Sequence, residues 1–218
     1  MTADSGSGVL AIWNDIRTGR EGEFEAWYKN EHFPERLSVP GFRLGRRYEA
    51  VAGEPRYFCY YITDTPETLT SAAYLERLNN PTALTRTMMT EAFANMNRTL
   101  CRRAWRGGVL RGAFSVTLRL CGTIDEASCR SFLAPLVAAD GIARCEIWLA
   151  ADQGSQVATE ERLRGGDRKI AGCLLVDTLR EEDARRVSEK AAAAFSGEAG
   201  IYRLLCEIEP FRCLPAPS

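Results

Sequence analysis

One order of elements occurs twice in this 218-residue chain, and a duplicated order leaves few folds open. The apolar run GVLAIWNDI (8–16) predicts a strand, and Thr18 and Glu21 stand at capping-box spacing at the start of a helix. Phe24, Trp27 and Tyr28 fall on one face of that helix, which is expected to end near Phe33 because Pro34 disfavours helical geometry in the residue before it. The turn VPGF (39–42) leads to the strands RLGRRYEA and RYFCYYIT, joined by VAGEP. Asp64, Pro66 and Glu67 open a second helix through Ala72, Ala73, Leu75 and Leu78, which breaks at NNPT (79–82). Helical spacing resumes over ALTRTMMTEAFANMNRTL, and CRRAWRGG closes the unit as a strand.

The second half repeats this order. Strand GAFSVTLRLCG, the pair Thr123/Glu126, a helix to about Ala139, the turn ADGI and strand RCEIWLAA come first. Strand KIAGCLLVDT, the pair Thr178/Glu181, helix EEDARRVSEKAAAAF and strand IYRLLCEIEP follow. VPGF (39–42) answers ADGI (139–142) at an offset of one hundred, and CYYITDT answers CLLVDTL. Each half reads βαββαβ, the split βαβ or ferredoxin-like pattern, over 9–108 and 109–210, with GGVLRG (107–112) as hinge. A four-stranded antiparallel sheet with helices on one face leaves the other face to be covered. The two sheets are therefore expected to pack face to face, making an α+β barrel within one chain.

Composition narrows the function by exclusion. Lys and Arg number 28 against 29 Asp and Glu, so the chain lacks the positive field of a nucleic-acid binder. The start MTADSGSG has neither a basic nor an apolar leader region, and no apolar run is long enough to span a bilayer, so a cytoplasmic protein is expected. The eight cysteines lie scattered, mostly in apolar runs such as YFCYY and GCLLV, without CxxC or zinc spacing. All eight are expected to be reduced. No strand is followed by a phosphate-cradling glycine fingerprint, and no cofactor or metal is assigned.

FEAWYKNEHFPERLSVPGF resembles the EthD-like branch of the dimeric α+β barrel superfamily, in which an H-x-P segment after a helix leads to P-G and a strand. The matching positions are His32, Pro34, Pro40 and Gly41, and beyond the first hundred residues only the element order matches. The resemblance implies a polar site between sheet and helices, taking a small, largely apolar or polyketide-like skeleton with a carbonyl or phenol. The superfamily also holds haem proteins, but those barrels draw the proximal histidine from the second module, and here the second half has none.

His32 is the only histidine. At a helix C-terminus, beside Glu31 and Glu35, its imidazolium would be favoured. Tyr28, four residues earlier, shares its face, so phenol and imidazole could converge on one ligand atom. The competing reading makes His32 the plain end of a helix, and Tyr28 and Trp27 core aromatics. Asn14 and Asp15 end the first strand, where alternation lets only one look into a helix-side pocket. Asn14, with Trp13 and Trp27 nearby, resembles the Asn/Trp sites of cofactor-free oxygenases of the superfamily; the alternative is a polar pair that turns the chain. Arg46 could anchor a substrate carboxylate or sit in an ion pair.

The resulting expectation is a lyase or isomerase moving a proton next to a carbonyl, with His32 as acid/base, Tyr28 and Glu31 in support, and Asn14, Trp27 and Arg46 holding substrate. A non-catalytic binding or scaffold protein and a cofactor-free monooxygenase are the alternatives, and a homodimer is open. The second half has Ala138 and Ala139 where the first has its histidine segment, so a single site in the first half is expected, with the second half structural.

Overall fold

Eight strands follow the alternating and apolar runs: β1 (Gly8–Ile16), β2 (Phe42–Ala52), β3 (Tyr57–Thr63), β4 (Phe93–Gly107), β5 (Phe114–Leu120), β6 (Ile142–Ala150), β7 (Gly172–Thr178) and β8 (Gly197–Ile208). They are seen in a computed structural model that describes residues 6–152 and 157–210. Every neighbouring pair is antiparallel, and the order β1-β3-β2-β8-β5-β7-β6-β4 closes on itself as one barrel. Each half has the same internal order, β4-β1-β3-β2 and β8-β5-β7-β6. The halves join at two seams, β2 on β8 and β4 on β6. The expected face-to-face packing thus takes the form of edge pairing, which leaves none of the eight strands with an open edge.

Strand alternation sorts the core into an inside and an outside. Val9, Ala11 and Trp13 of β1 meet Phe58, Tyr60, Trp148 and Tyr202 in one buried cluster within the barrel. Leu10 and Ile12 face outward, under Phe24, Trp27 and Tyr28. In the second half Val116, Leu118, Leu174 and Val176 pack beneath Leu133, Ala184 and Val187.

The helices depart from the sequence expectation in instructive ways. Helix α1 (Glu21–Trp27) has Arg20 at its N-cap position and no side-chain cap, so the Thr18/Glu21 box does not form; Glu21 accepts instead from the Gly19 amide. Nor does the helix end at Phe33. It widens into a π-helical turn over Tyr28–His32 and continues as α2 (Phe33–Leu37), with Pro34 in the first turn of that segment. Proline is tolerated there because the first-turn N–H groups have no partner within an α-helix. His32 is therefore internal to a continuous helical run.

After a 3₁₀ turn, α3 (Ala72–Asn79) starts where Ser71 accepts from the Tyr74 amide. Helix α4 (Ala83–Thr87) and a second π-helical turn, Met88–Ala92, lead into β4 earlier than the local pattern suggested, so 93–100 is strand. Helix α5 (Glu126–Leu133) is capped by Asp125 rather than Thr123, and α7 (Glu181–Ala194) has no side-chain cap. A short helix, α6 (Thr159–Leu163), has no counterpart in the first half. The β2–β3 link spans only 53–56, whereas the β6–β7 link spans 151–171 and carries α6.

All seven described cysteines are free; Cys213 lies outside the described residues. Among the described residues no helix is long and apolar enough to cross a membrane.

Candidate functional site

The outer face of the first sheet and the helices above it enclose a cavity of about 20 Å³, room for little more than one water molecule. β1 contributes Leu10, Ile12 and Asn14, β3 contributes Tyr61, and the helical run contributes Tyr28, His32 and Arg36. Arg98 of β4 and Glu160 and Arg164 of the β6–β7 link complete its polar wall. Two residues of the second half, Glu160 and Arg164, thus line this cavity of the first.

His32 is 6% exposed, and its Nδ1 is buried without a hydrogen-bond partner. Its ring lies against the Trp27 indole, with centroids 4.3 Å apart and planes 32° from parallel, and 5.0 Å from the Tyr28 ring. Burial lowers the imidazole pKa well below its ordinary value, and the guanidinium groups of Arg36, Arg164, Arg47 and Arg98 push the same way. The expectation of a stabilised imidazolium is therefore reversed. His32 stands inside the helical run and not at its end, and burial first, then the four guanidinium groups, disfavours the charged ring.

Tyr28 lies at 4% exposure with its hydroxyl 3.5 Å from that of Tyr61. Burial raises both phenol pKa values well above the usual range, with the Cys59 thiol adding to the shift, so both are proton donors and not phenolates. Arg47 stacks on the Tyr28 ring at 4.6 Å and is held by paired 2.6 Å hydrogen bonds to Glu25. Beyond Tyr28, the one residue lining both spaces, an open surface groove of about 920 Å³ runs past Phe33, Arg47, Tyr57 and Cys206.

The remaining sequence-derived candidates separate. Asn14 lines the cavity and donates to the Asp15 carbonyl at 3.3 Å, while Asp15 turns away to Arg56 and Asn95. Trp27 backs His32 and donates to Thr85 at 3.0 Å. Glu31 does not line the cavity: it accepts from Thr82 at 2.5 Å and Thr85 at 2.7 Å, tying the helical run to the start of α4. Arg46 points to the other side of the sheet, into the barrel, where it pairs with Asp177 at 3.1 Å and donates to the Gly112 carbonyl. The structure does not bring Arg46 together with His32.

The arginines that set the cavity's field were not among the sequence candidates. Arg36 donates from one guanidinium nitrogen to both Glu160 carboxylate oxygens, at 2.6 and 2.7 Å, and lies 3.2 Å from Glu35. Burial works against its charge, but Glu160, Tyr74 and Glu35 more than offset this and its pKa is raised. Arg98 donates to the Tyr74 hydroxyl at 2.9 Å. Arg164 holds Asp167 through 3.0 and 2.7 Å hydrogen bonds.

No protein-family model and no curated protein matches the sequence. Solved structures match in fold. An anthrone oxidase-like protein superposes with a TM-score of 0.64 at 10% identity, covering 100% of this chain and 99% of that one. A candidate monooxygenase from Fusobacterium nucleatum gives 0.58 at 6% identity over 94% and 95%. A haem-binding protein from Thermus thermophilus gives 0.52 at 9% identity over 92% of each chain. None of these three is named as a lyase or isomerase. The chain has the dimeric α+β barrel fold, closed here by a single polypeptide.

Proposed function

We propose that the chain is a small-molecule oxygenase or oxidase that needs no cofactor, acting on a flat phenolic or enolisable ring system. The observation that carries the reading is His32, an imidazole with an unpaired buried nitrogen in a cavity walled by Tyr28, Tyr61 and three guanidinium groups. A base so placed accepts the proton of an activated CH₂ group, and the surrounding cations stabilise the anion left behind. That anion is electron-rich enough to react with dioxygen directly. The overall change is R₂CH₂ + O₂ → R₂C=O + H₂O: two C–H bonds are lost, one oxygen atom enters the carbonyl and the other leaves as water. Tyr28 donates its hydroxyl proton to the substrate oxygen, and Asn14 offers an amide on the β1 side. The likeness to an anthrone oxidase-like protein and a candidate monooxygenase supports this chemistry over proton transfer alone.

Haem does not fit at His32. The only imidazole of the chain lies against Trp27 and is surrounded by the Arg36, Arg164, Arg47 and Arg98 guanidinium groups, a cationic setting that disfavours a metal cation on its ring. No step runs through haem.

The test is oxygen uptake with anthrone and related phenols, following quinone absorbance. Wild type is expected to consume one O₂ per quinone formed, and His32→Gln to lose about 100-fold or more in turnover. Uptake indistinguishable from buffer across the panel, or equal rates in the variant, would overturn the assignment.

We also propose that the halves, 9–108 and 109–210, are duplicated ferredoxin-like modules, the first of the EthD-like kind. The shared strand order supports this, as does the pair Gly41 and Gly141. Both have positive φ at the start of β2 and β6, and both carbonyls accept from the chain just after the partnering strand, at Asp64 and Leu179.

A further inference from the structure

We propose that the His32 cavity binds an organic anion, a carboxylate or phenolate on a flat apolar skeleton, and that Glu160 holds the anion's place until α6 withdraws. The proposal rests on reading this cavity as the ligand site and adds what the ligand must carry and how it gets in.

The wall carries Arg36, Arg98 and Arg164 against the single carboxylate of Glu160. Arg164 is satisfied by Asp167, and Arg36 by Glu160 and Glu35. Arg98, 8% exposed, has only the neutral Tyr74 hydroxyl as side-chain partner, and no carboxylate among the described residues lies within ion-pairing distance of it. Asp167 and Glu160 favour the Arg98 charge from a distance, so an anion placed between Arg36 and Arg98 would give that guanidinium the direct carboxylate contact it lacks. Glu160 already occupies the Arg36 side of that place, with both carboxylate oxygens accepting from one guanidinium nitrogen.

Approach from the groove is closed by the Tyr28 ring, wedged among Phe24, Trp27 and Phe33 under the Arg47 guanidinium. On the opposite side the cover is the five-residue α6 and the turn after it. That helix is docked by Thr159 on the Asn79 side-chain oxygen, at 3.1 and 3.3 Å, and by the Arg36–Glu160 pair. It is followed by Gly165 and Gly166, with φ of +83° and +98° and open space around the position of a side chain at each. These two consecutive glycines, whose amides donate to the Arg162 and Glu161 carbonyls, are where the link can pivot.

The probes are 2-naphthoate, an anion at pH 7.5, and 2-naphthol, its neutral phenol counterpart, titrated under nitrogen so that no oxygen chemistry contributes. In the wild type the ligand must displace Glu160; Glu160→Gln removes the competing charge, and its affinity for 2-naphthoate is expected to rise about tenfold with little change for 2-naphthol. Adding Arg98→Met to that variant is expected to cancel the gain. Asn79→Ala, on the exposed surface, leaves the ion pair intact and is expected to speed association of both probes several-fold. Glu160→Gln that melts like wild type yet binds 2-naphthoate no more tightly overturns the proposal. If that variant does not fold, Asn79→Ala decides alone, and unchanged association rates overturn it. Binding as described with no oxygen uptake sinks the oxygenase reading alone; uptake of neutral phenols without 2-naphthoate binding sinks this one alone.

Discussion

At the residue scale the molecule turns on a histidine whose burial sets its charge. An imidazole is ordinarily half protonated at its reference pKa of 6.5, and here the pKa is held well below that value. The unfolded chain therefore binds more protons than the folded one as pH falls through 6.5, and stability falls with it. Melts of wild type and His32→Gln from pH 7.5 to 5 are expected to diverge, the wild type losing more stability on the acid side; parallel curves would show that His32 does not titrate in this way. His32 was legible in the sequence as the sole histidine, but its charge state was not. That depended first on burial, then on Arg36, four residues on and hidden by ending the helix at Pro34, and on Arg164 and Arg98, which no local pattern connects to it.

At the element scale, the π-helical turn over Tyr28–His32 is what carries the helix past Pro34, and single-sequence periodicity, which assumes 3.6 residues per turn, cannot anticipate it. The same assumption let FANMNRTL pass for helix, although its alternation places Arg98 and Leu100 outside and Thr99 and Cys101 inside a strand. The strands around the PGF and DGI turns were legible because glycine there is demanded by backbone geometry. Gly41 has φ +92° with the Thr68 methyl 2.8 Å from where a Cβ would sit, and Gly141 has φ +80° with the Asp183 carboxylate in that place. Alanine at either position forces a conformation costing roughly 1–2 kcal/mol. Urea melts of Gly41→Ala and Gly141→Ala should show comparable losses, each accompanied by an unchanged strand signature in circular dichroism. A loss at only one site would speak against equivalent turns in the two halves.

At the scale of the whole molecule, the two halves are bound through the barrel interior as well as at the seams. Arg46 of β2 reaches Asp177 of β7, which also holds Arg144 at 2.6 Å and accepts from Ser115. Arg144 lies 3.3 Å from Glu146, and Glu146 pairs with Arg103 of β4 at 3.0 Å. This chain of alternating charges crosses from the first half to the second and back, among side chains almost wholly removed from water. The sequence showed Arg46 as a cation on a strand; only closure of the barrel decides that its partner is 131 positions away. Asp177→Asn leaves two buried guanidinium groups facing a neutral amide, and breaking a buried ion pair from one side costs about 3–5 kcal/mol. Because the network and both seams span the halves, that loss should appear as one calorimetric transition moved down as a whole, seen alike by probes in the first half and the second. Two transitions, with only the second half shifted, would mean that the halves fold as independent units and that the interior charges do not couple them.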